Sequence, residues 1–369
     1  MSSLLGESAI DRKGVSPSFF RGKKVLITGH TGFKGSWLSL MLADAGAKVA
    51  GYALAPKNLS HFNVCSIQNL ITHQIGDIKD LDGLKKFFNE FQPEIVFHLA
   101  AQALVNESYD NPVNTYETNV LGSVNVLEAV RNSHSVRALV YITSDKCYEN
   151  NEWAWGYREN DKLGGHDPYS ASKAAAEIVF SSYSKSFFKD NERLSAASAR
   201  AGNVIGGGDW SAGRVIPDCV RAIEKNTSLE IRNPKSTRPW QHVFEPLSGY
   251  LTLAKHLYQM NIENYEAWNF GPNTNDVYSV EEVVDLFYSK MGQDKNSLIS
   301  KNSNLGKTGH EAGLLQLNCD KAFSKLGWSP KWRTEKAVLE TAHWFDGYLK
   351  KEKSIVEISR GQIKEYFDE

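Results

Sequence analysis

The segment Tyr169-Ser170-Ala171-Ser172-Lys173 sets a phenol and an ammonium four residues apart, a spacing that puts both on one face of a helix. An ammonium beside a phenol favours the phenolate, and a fall of about three units from the usual pKa of roughly 10 corresponds to about 4 kcal/mol. Such a tyrosine can take the proton of an alcohol while hydride leaves the same carbon. The same spacing also occurs on solvated helix faces, so the order of the surrounding elements decides its weight. Upstream stands Thr143-Ser144-Asp145-Lys146-Cys147-Tyr148, at the end of an expected strand over 137–143. Strand ends on one edge of a parallel sheet are where ligands bind. There Ser144 can orient the alcohol. The plainer reading of Asp145 and Lys146 is an exposed ion pair in a turn.

A third group of residues points to a cofactor. Gly29-His30-Thr31-Gly32-Phe33-Lys34-Gly35 follows the short apolar run Val25-Leu26-Ile27 and opens a helical pattern. Glycines there let a pyrophosphate approach the backbone, and the helix N-terminus offers amide donors and a positive dipole end. An acidic residue at the end of the second strand usually holds the ribose hydroxyls of NAD. Here that region reads Gly51-Tyr52-Ala53-Leu54-Ala55, and the nearby cations His30, Lys34 and Lys57 suit a 2′-phosphate. These residues leave the choice between NAD and NADP open.

The elements that must hold these groups alternate. Strands are expected over 23–28, 47–52, 94–99, 137–143 and 194–200, with helices over 34–45, 81–91, 113–132 and 169–188. Strands separated by helices of this length predict an α/β fold, a doubly wound parallel sheet. Residues 20–202 read as the dinucleotide-binding domain. After Asn203 glycine and proline become frequent, and 203–369 reads as a smaller mixed α/β substrate-binding lobe whose segments, for example 242–257, return to the sheet.

Composition bounds the rest. The chain has 369 residues, 41% hydrophobic and 23% charged, with a formal net charge of −1, which gives no general attraction for nucleic acid or an anionic membrane. Four scattered cysteines form no disulfide framework or zinc motif, and ten histidines form no ligand cluster, so no metal is expected. The polar start reads as no signal peptide, and no segment approaches the roughly 18 apolar residues of a membrane span. A cytoplasmic protein is expected.

Taken together, the glycine turn, His98-Leu99-Ala100-Ala101-Gln102, Asn119-Val120-Leu121-Gly122, the serine and the Tyr/Lys pair resemble the extended short-chain dehydrogenase/reductase family, from about residue 23 to 332. Asn203 to Trp210 and Arg238-Pro239-Trp240-Gln241-His242-Val243 narrow the resemblance to nucleotide-sugar 4,6-dehydratases. It implies a Rossmann domain, a nucleotide-sugar substrate and a homodimer or homotetramer. It implies catalysis by Ser144, Asp145, Lys146, Tyr169 and Lys173. Cofactor contacts would come from Gly29, Thr31, Gly32, Phe33, Lys34, Gly35, Asp77, Ala100, Ala101, Tyr169 and Lys173, and substrate contacts from Asn203, Arg214 and Arg238. One departure stands out: related dTDP-glucose enzymes carry a glutamate where this chain has Lys146. Trp240, Trp268 and His242 read as core residues, and His98 as either a cofactor contact or a satisfied core histidine. A 4-epimerase and a non-catalytic dinucleotide-binding module remain as alternatives.

Overall fold

The computed structural model describes residues 15–231, 233–262, 265–294, 299–300, 314–351 and 354–368. Seven parallel strands form one sheet: β1 (Lys24–Thr28), β2 (Lys48–Ala53), β3 (Thr72–Ile75), β4 (Ile95–His98), β5 (Ala138–Ile142), β6 (Ser195–Ala201) and β7 (Ala267–Phe270). Their order across the sheet is β7-β6-β5-β4-β1-β2-β3. The direction of winding reverses between β1 and β4, and a crevice opens at such a switch point beyond the strand ends.

Both faces of the sheet are covered, and strand periodicity shows how. Val25 and Ile27 of β1 enter one core with Trp37, Leu38, Phe244 and Tyr250, while Leu26 enters the other with Phe87, Phe88, Val126 and Phe180. The first face carries α1 (Phe33–Asp44). The second carries α2 (Leu81–Phe91), α3 (112–131) and α4 (Pro168–Tyr183). Helix α3 differs from the single α-helix expected over 113–132, because Glu117–Gly122 winds as a π-turn. That turn carries Asn119, whose side chain bonds Ser172 of α4 and both backbone groups of Gln102. A π-turn in this setting re-aims a side chain that a regular helix would misdirect.

Beyond β6 the chain makes α5 (Val215–Lys225) and α6 (Phe244–Gln259) before β7 joins the sheet edge beside β6. Helix α6 packs on β5 and β6. Short strand pairs then link 204–205 to 241–242 and 237–238 to 278–279. Helices α7 (Val280–Lys290), α8 (Asp320–Leu326), α9 (Thr334–Lys350) and α10 (Ile355–Asp368) follow. Trp240 and Trp268 are 6% and 1% exposed and belong to the core, as expected.

Candidate functional site

At the β1 end, Gly29 takes φ +78°, and a β-carbon on it would fall 2.6 Å from the Ala100 nitrogen. A β-carbon on Gly35 would fall 2.2 Å from the Gly29 carbonyl oxygen, so the turn and the first helical residues close on each other only because both lack side chains. Helix α1 has Gly32 as its N-cap, with no side-chain cap and no acidic residue in its first turn. Its first amides therefore remain available to an anion, which fits a pyrophosphate. Thr31 closes the turn with a 3.0 Å bond from Oγ1 to the Leu54 carbonyl, and the Ala100 amide bonds Thr28 Oγ1 at 3.3 Å. Ala101 lies half-buried in the same loop after β4.

The chemistry sits at the next strand end. Ser144 caps a short 3-10 turn, Asp145–Cys147; it accepts the Lys146 amide at 3.2 Å and donates to Asp145 Oδ1 at 3.0 Å. Helix α4 is capped by Asp167 and presents Tyr169 and Lys173 toward this turn; all of Ser144, Asp145, Tyr169 and Lys173 are buried. Lys146 is half-buried. The Lys173 ammonium makes no hydrogen bond or ion pair with a described residue, so its donors are free for the hydroxyls of a dinucleotide ribose.

Electrostatics at this end are set by burial first. It pushes the Tyr169 phenol up to about 12, against the pull of a hydrogen bond with Ser144 and of the Arg214 charge. Burial lowers the Lys173 amine to about 8. The expectation of a depressed phenol is therefore corrected for the protein by itself: desolvation of the phenolate outweighs the Ser144 hydrogen bond and the Arg214 charge. Burial also raises the Asp145 carboxyl, opposed by Lys146, Ser144 and Lys34, so the acid form persists to higher pH than an exposed aspartate would allow.

Lys34 departs from its expected surroundings. Its ammonium lies 5.9 Å from the Tyr250 ring, and Asp145, Arg214 and Lys173 all act on it; burial lowers it to about 8. His30 is buried, bonds His73 at 2.6 Å, and is held near 3 mainly by desolvation, so it is neutral. Two of the three cations invoked for a 2′-phosphate are thus turned elsewhere. Asp77 lies half-buried just past β3 and accepts the Lys79 amide at 2.9 Å.

The substrate candidates come from the second half. Arg214 pairs with Asp209 at 2.9 Å and reaches Tyr169 and Lys34 electrostatically. A β-carbon on Gly202 would lie 2.9 Å from Asp145 Oδ2 and 3.6 Å from Pro239, which sets the Arg238-Pro239 segment next to the acid. Exposed Asn203 follows that glycine, and Arg238 is half-buried with Nη1 on the Thr237 carbonyl at 3.0 Å. His98 is a satisfied core histidine, bonded to Thr28 at 2.7 Å and Ser123 at 3.0 Å. His242 is buried in the core, where its Nδ1 accepts the Phe244 amide at 3.3 Å.

A glycine-cradled anion site beside a buried phenol, amine and carboxyl suits hydride and proton transfer at an alcohol carbon. The family model for GDP-mannose 4,6 dehydratase matches residues 26–341. The chain belongs to that family. Among its relatives, the CDP-glucose 4,6-dehydratase of Salmonella typhimurium is 47% identical over 95% of this chain and 98% of its own length. The CDP-paratose 2-epimerase of Salmonella typhi is 25% identical over 87% and 98%. The dTDP-glucose 4,6-dehydratase of Bacillus anthracis, solved in complex with NAD, superposes with a TM-score of 0.73 at 25% identity, covering 90% of this chain and 98% of that one.

Within this dehydratase-family frame, three site residues escaped the sequence reading. Glu177 continues the Tyr169/Lys173 face by one more turn, a signal that extending the i, i+4 register would have exposed. Gly202 and Tyr250 had no such signal; their approach to Asp145 depends on how β6 and α6 meet the sheet.

Proposed function

We propose that this chain is a nucleotide-sugar 4,6-dehydratase that uses NAD to convert CDP-D-glucose to CDP-4-keto-6-deoxy-D-glucose. The observation that carries the reading is Asp145, a carboxyl buried at the strand end between Ser144 and Lys146 and biased toward its protonated form. Expulsion of the sugar O6 as water needs such an acid, whereas 4-epimerisation has no leaving group to protonate. The nucleotide assignment rests on the 47% identical CDP-glucose enzyme, and NAD on the NAD-bound dehydratase relative and on the neutral His30 and inward-facing Lys34.

In this reading Ser144 orients the C4 alcohol and Tyr169 removes its O4 proton, while Lys173 holds the ribose. Gly29, Thr31, Gly32, Phe33, Lys34 and Gly35 supply the pyrophosphate turn, with Ala100 and Ala101 opposite and Asp77 at the adenine. NAD held by these residues would supply an acceptor for the C4 hydride and a donor of that hydride to C6. The C4 carbonyl acidifies the C5 hydrogen; Asp145 protonates O6 as it leaves as water. Lys146 serves the C5 side, either as the base that takes the C5 proton or as the cation that holds the enolate while another base takes it, and a proton returns to C5 as hydride reaches C6. Arg238, Arg214 and Asn203 hold the nucleoside diphosphate.

The reading extends to assembly and setting. Tyr109, Val113, Tyr116, Leu121, Ile178 and Phe187 are all more than 40% exposed along the 105–131 and 168–188 helices, an apolar surface suited to a homodimer or, with a second contact, a homotetramer. Four free cysteines suit a reducing cytoplasm, and deoxysugar supply for a lipopolysaccharide O-antigen is the setting the family suggests. No described helix is long and apolar enough to cross a membrane.

The test is incubation of the NAD-loaded protein with CDP-glucose, dTDP-glucose, UDP-glucose and GDP-mannose. CDP-glucose is expected to lose one water by mass and to give the alkaline ultraviolet absorbance of a 4-keto sugar. Conversion without mass change would make the protein an epimerase instead.

A further inference from the structure

Glu177 is a charged side chain, 3% exposed, with no part in the chemistry described above. It lies one helical turn past Lys173 on the inward face of α4. Its Oε1 accepts the Thr143 hydroxyl; its Oε2 accepts Ser198 Oγ at 2.8 Å and Arg200 Nη2 at 2.7 Å. Thr143 immediately precedes Ser144, and its amide is already bonded to β6 through the Ala199 carbonyl. Arg200 continues the chain of contacts: Nη1 donates to the Tyr148 hydroxyl at 2.8 Å and to the Glu159 carbonyl at 2.9 Å, and Tyr148 donates in turn to Asn269 of β7. Tyr148 is the residue just after the Asp145–Cys147 turn. The residue before the catalytic turn is thus tied to Glu177 directly, and the residue after it through Arg200.

We infer that Glu177 is a positioning residue: it fixes both ends of the turn carrying Ser144, Asp145 and Lys146 to the helix carrying Tyr169 and Lys173. This rests on the roles proposed above for those five residues. A fully buried ion pair contributes little net stability when its desolvation is counted; this one, with the hydrogen bonds of Glu177 to Thr143 and Ser198, holds one geometry. Here that geometry is the distance between an acid, a base and a cation that must act on neighbouring carbons of one sugar.

The same carboxylate has a second consequence, for Lys173. The groups acting on or facing that ammonium are His98 of β4, Lys34 of α1, Cys147 beyond β5, and Tyr169 and Glu177 of its own helix. His98 is neutral, held near 3, and burial keeps the Cys147 thiol protonated. Lys34 opposes the Lys173 charge. Glu177 is the anion that favours it, so loss of the carboxylate makes Lys173 surrender its proton at lower pH.

The test compares NAD-loaded wild type with Glu177→Gln, Glu177→Asp and Thr143→Val, following CDP-glucose turnover across pH. Glu177→Gln is expected to lower kcat on the order of 100-fold, as misplacement of catalytic groups does, with KM within about twofold. Its alkaline limb is expected to move to lower pH, and Glu177→Asp to restore that limb. Thr143→Val, which keeps the ion pair and the side-chain shape, is expected to lose roughly tenfold in kcat with the limb unmoved. Folded Glu177→Gln with wild-type kcat and an unmoved limb overturns the inference. If Glu177→Gln does not fold, Thr143→Val decides, and an unchanged kcat there overturns it equally. Failure of the functional reading looks different: wild type itself would then form no 4-keto-6-deoxy product.

Discussion

The two ends of the crevice are built on opposite electrostatic plans. At the β4–β5 end, Lys34, Asp145, Tyr169 and Lys173 crowd together, and burial is the largest influence on all four. At the β2 end, Leu54 is 61% exposed and Asp77 is half-buried, and the histidine between the two ends is neutral. At the reactive end each charge alters its neighbours because water is excluded. At the adenosine end any selectivity must come from individual exposed contacts, screened by solvent. Substitutions should therefore act on rate and pH profile at one end, and weakly, on dinucleotide choice, at the other.

The sharpest break in the reactive cluster is Tyr169→Phe. It removes the proton acceptor for O4 while leaving the ring in place, and turnover of CDP-glucose should fall by about 1,000-fold or more, with nucleotide-sugar binding by calorimetry unchanged. Retained turnover would transfer the proton-accepting role to another group. Asp145→Asn comes next. It keeps the shape but cannot donate a proton to O6, so a loss of about 100-fold or more is expected, with C4-oxidised, undehydrated sugar detected by mass in single turnovers. Undiminished dehydration would transfer the acid role to another group.

Lys34→Met probes how tightly the cluster is coupled. The Lys34 ammonium lowers the Asp145 carboxyl and also lowers Lys173. Both groups must be protonated to act, and without Lys34 both hold their protons to higher pH. The alkaline limb of kcat should move upward by up to about one unit, the reverse of the shift expected for Glu177→Gln. An unmoved limb in a folded Lys34→Met protein would mean that solvent screens this end as well.

The contrast between the two ends also explains what could be read from the sequence. The glycine turn, the β5-end serine and the Tyr/Lys pair are local patterns whose meaning depends on strand–helix order, and that order is carried by periodicity. Val25, Leu26 and Ile27 alternate between two cores as the parallel sheet requires. The approach of the Lys34 ammonium to Tyr250 is not legible in the sequence, because backbone position alone does not say where a long side chain ends. In the protein by itself the Tyr169 phenol is raised rather than depressed for a related reason: the i, i+4 lysine is visible in sequence, whereas desolvation, the largest influence on the phenol, is a property of the packed site. Strand β7 and the contacts of Gly202 with Asp145 and Pro239 arise from segments more than 35 residues apart in the chain, beyond any local pattern.

The smallest expected effect lies at the adenosine end and tests whether that end is as passive as its composition implies. Leu54 follows β2, where the ribose hydroxyls of a dinucleotide come to rest, and its carbonyl already anchors Thr31. Being largely exposed, it can be replaced without loss of core packing. Leu54→Arg would place a guanidinium where a 2′-phosphate would sit, and NADP affinity by fluorescence titration should rise about tenfold, or ~1.4 kcal/mol. The gain should shrink as salt is raised, since the contact is exposed, while kcat with NAD stays at the wild-type value. A rise in NADP affinity accompanied by a shifted kcat–pH profile would show that charge at this end does reach the reactive cluster, and the division between the two ends would have to be abandoned.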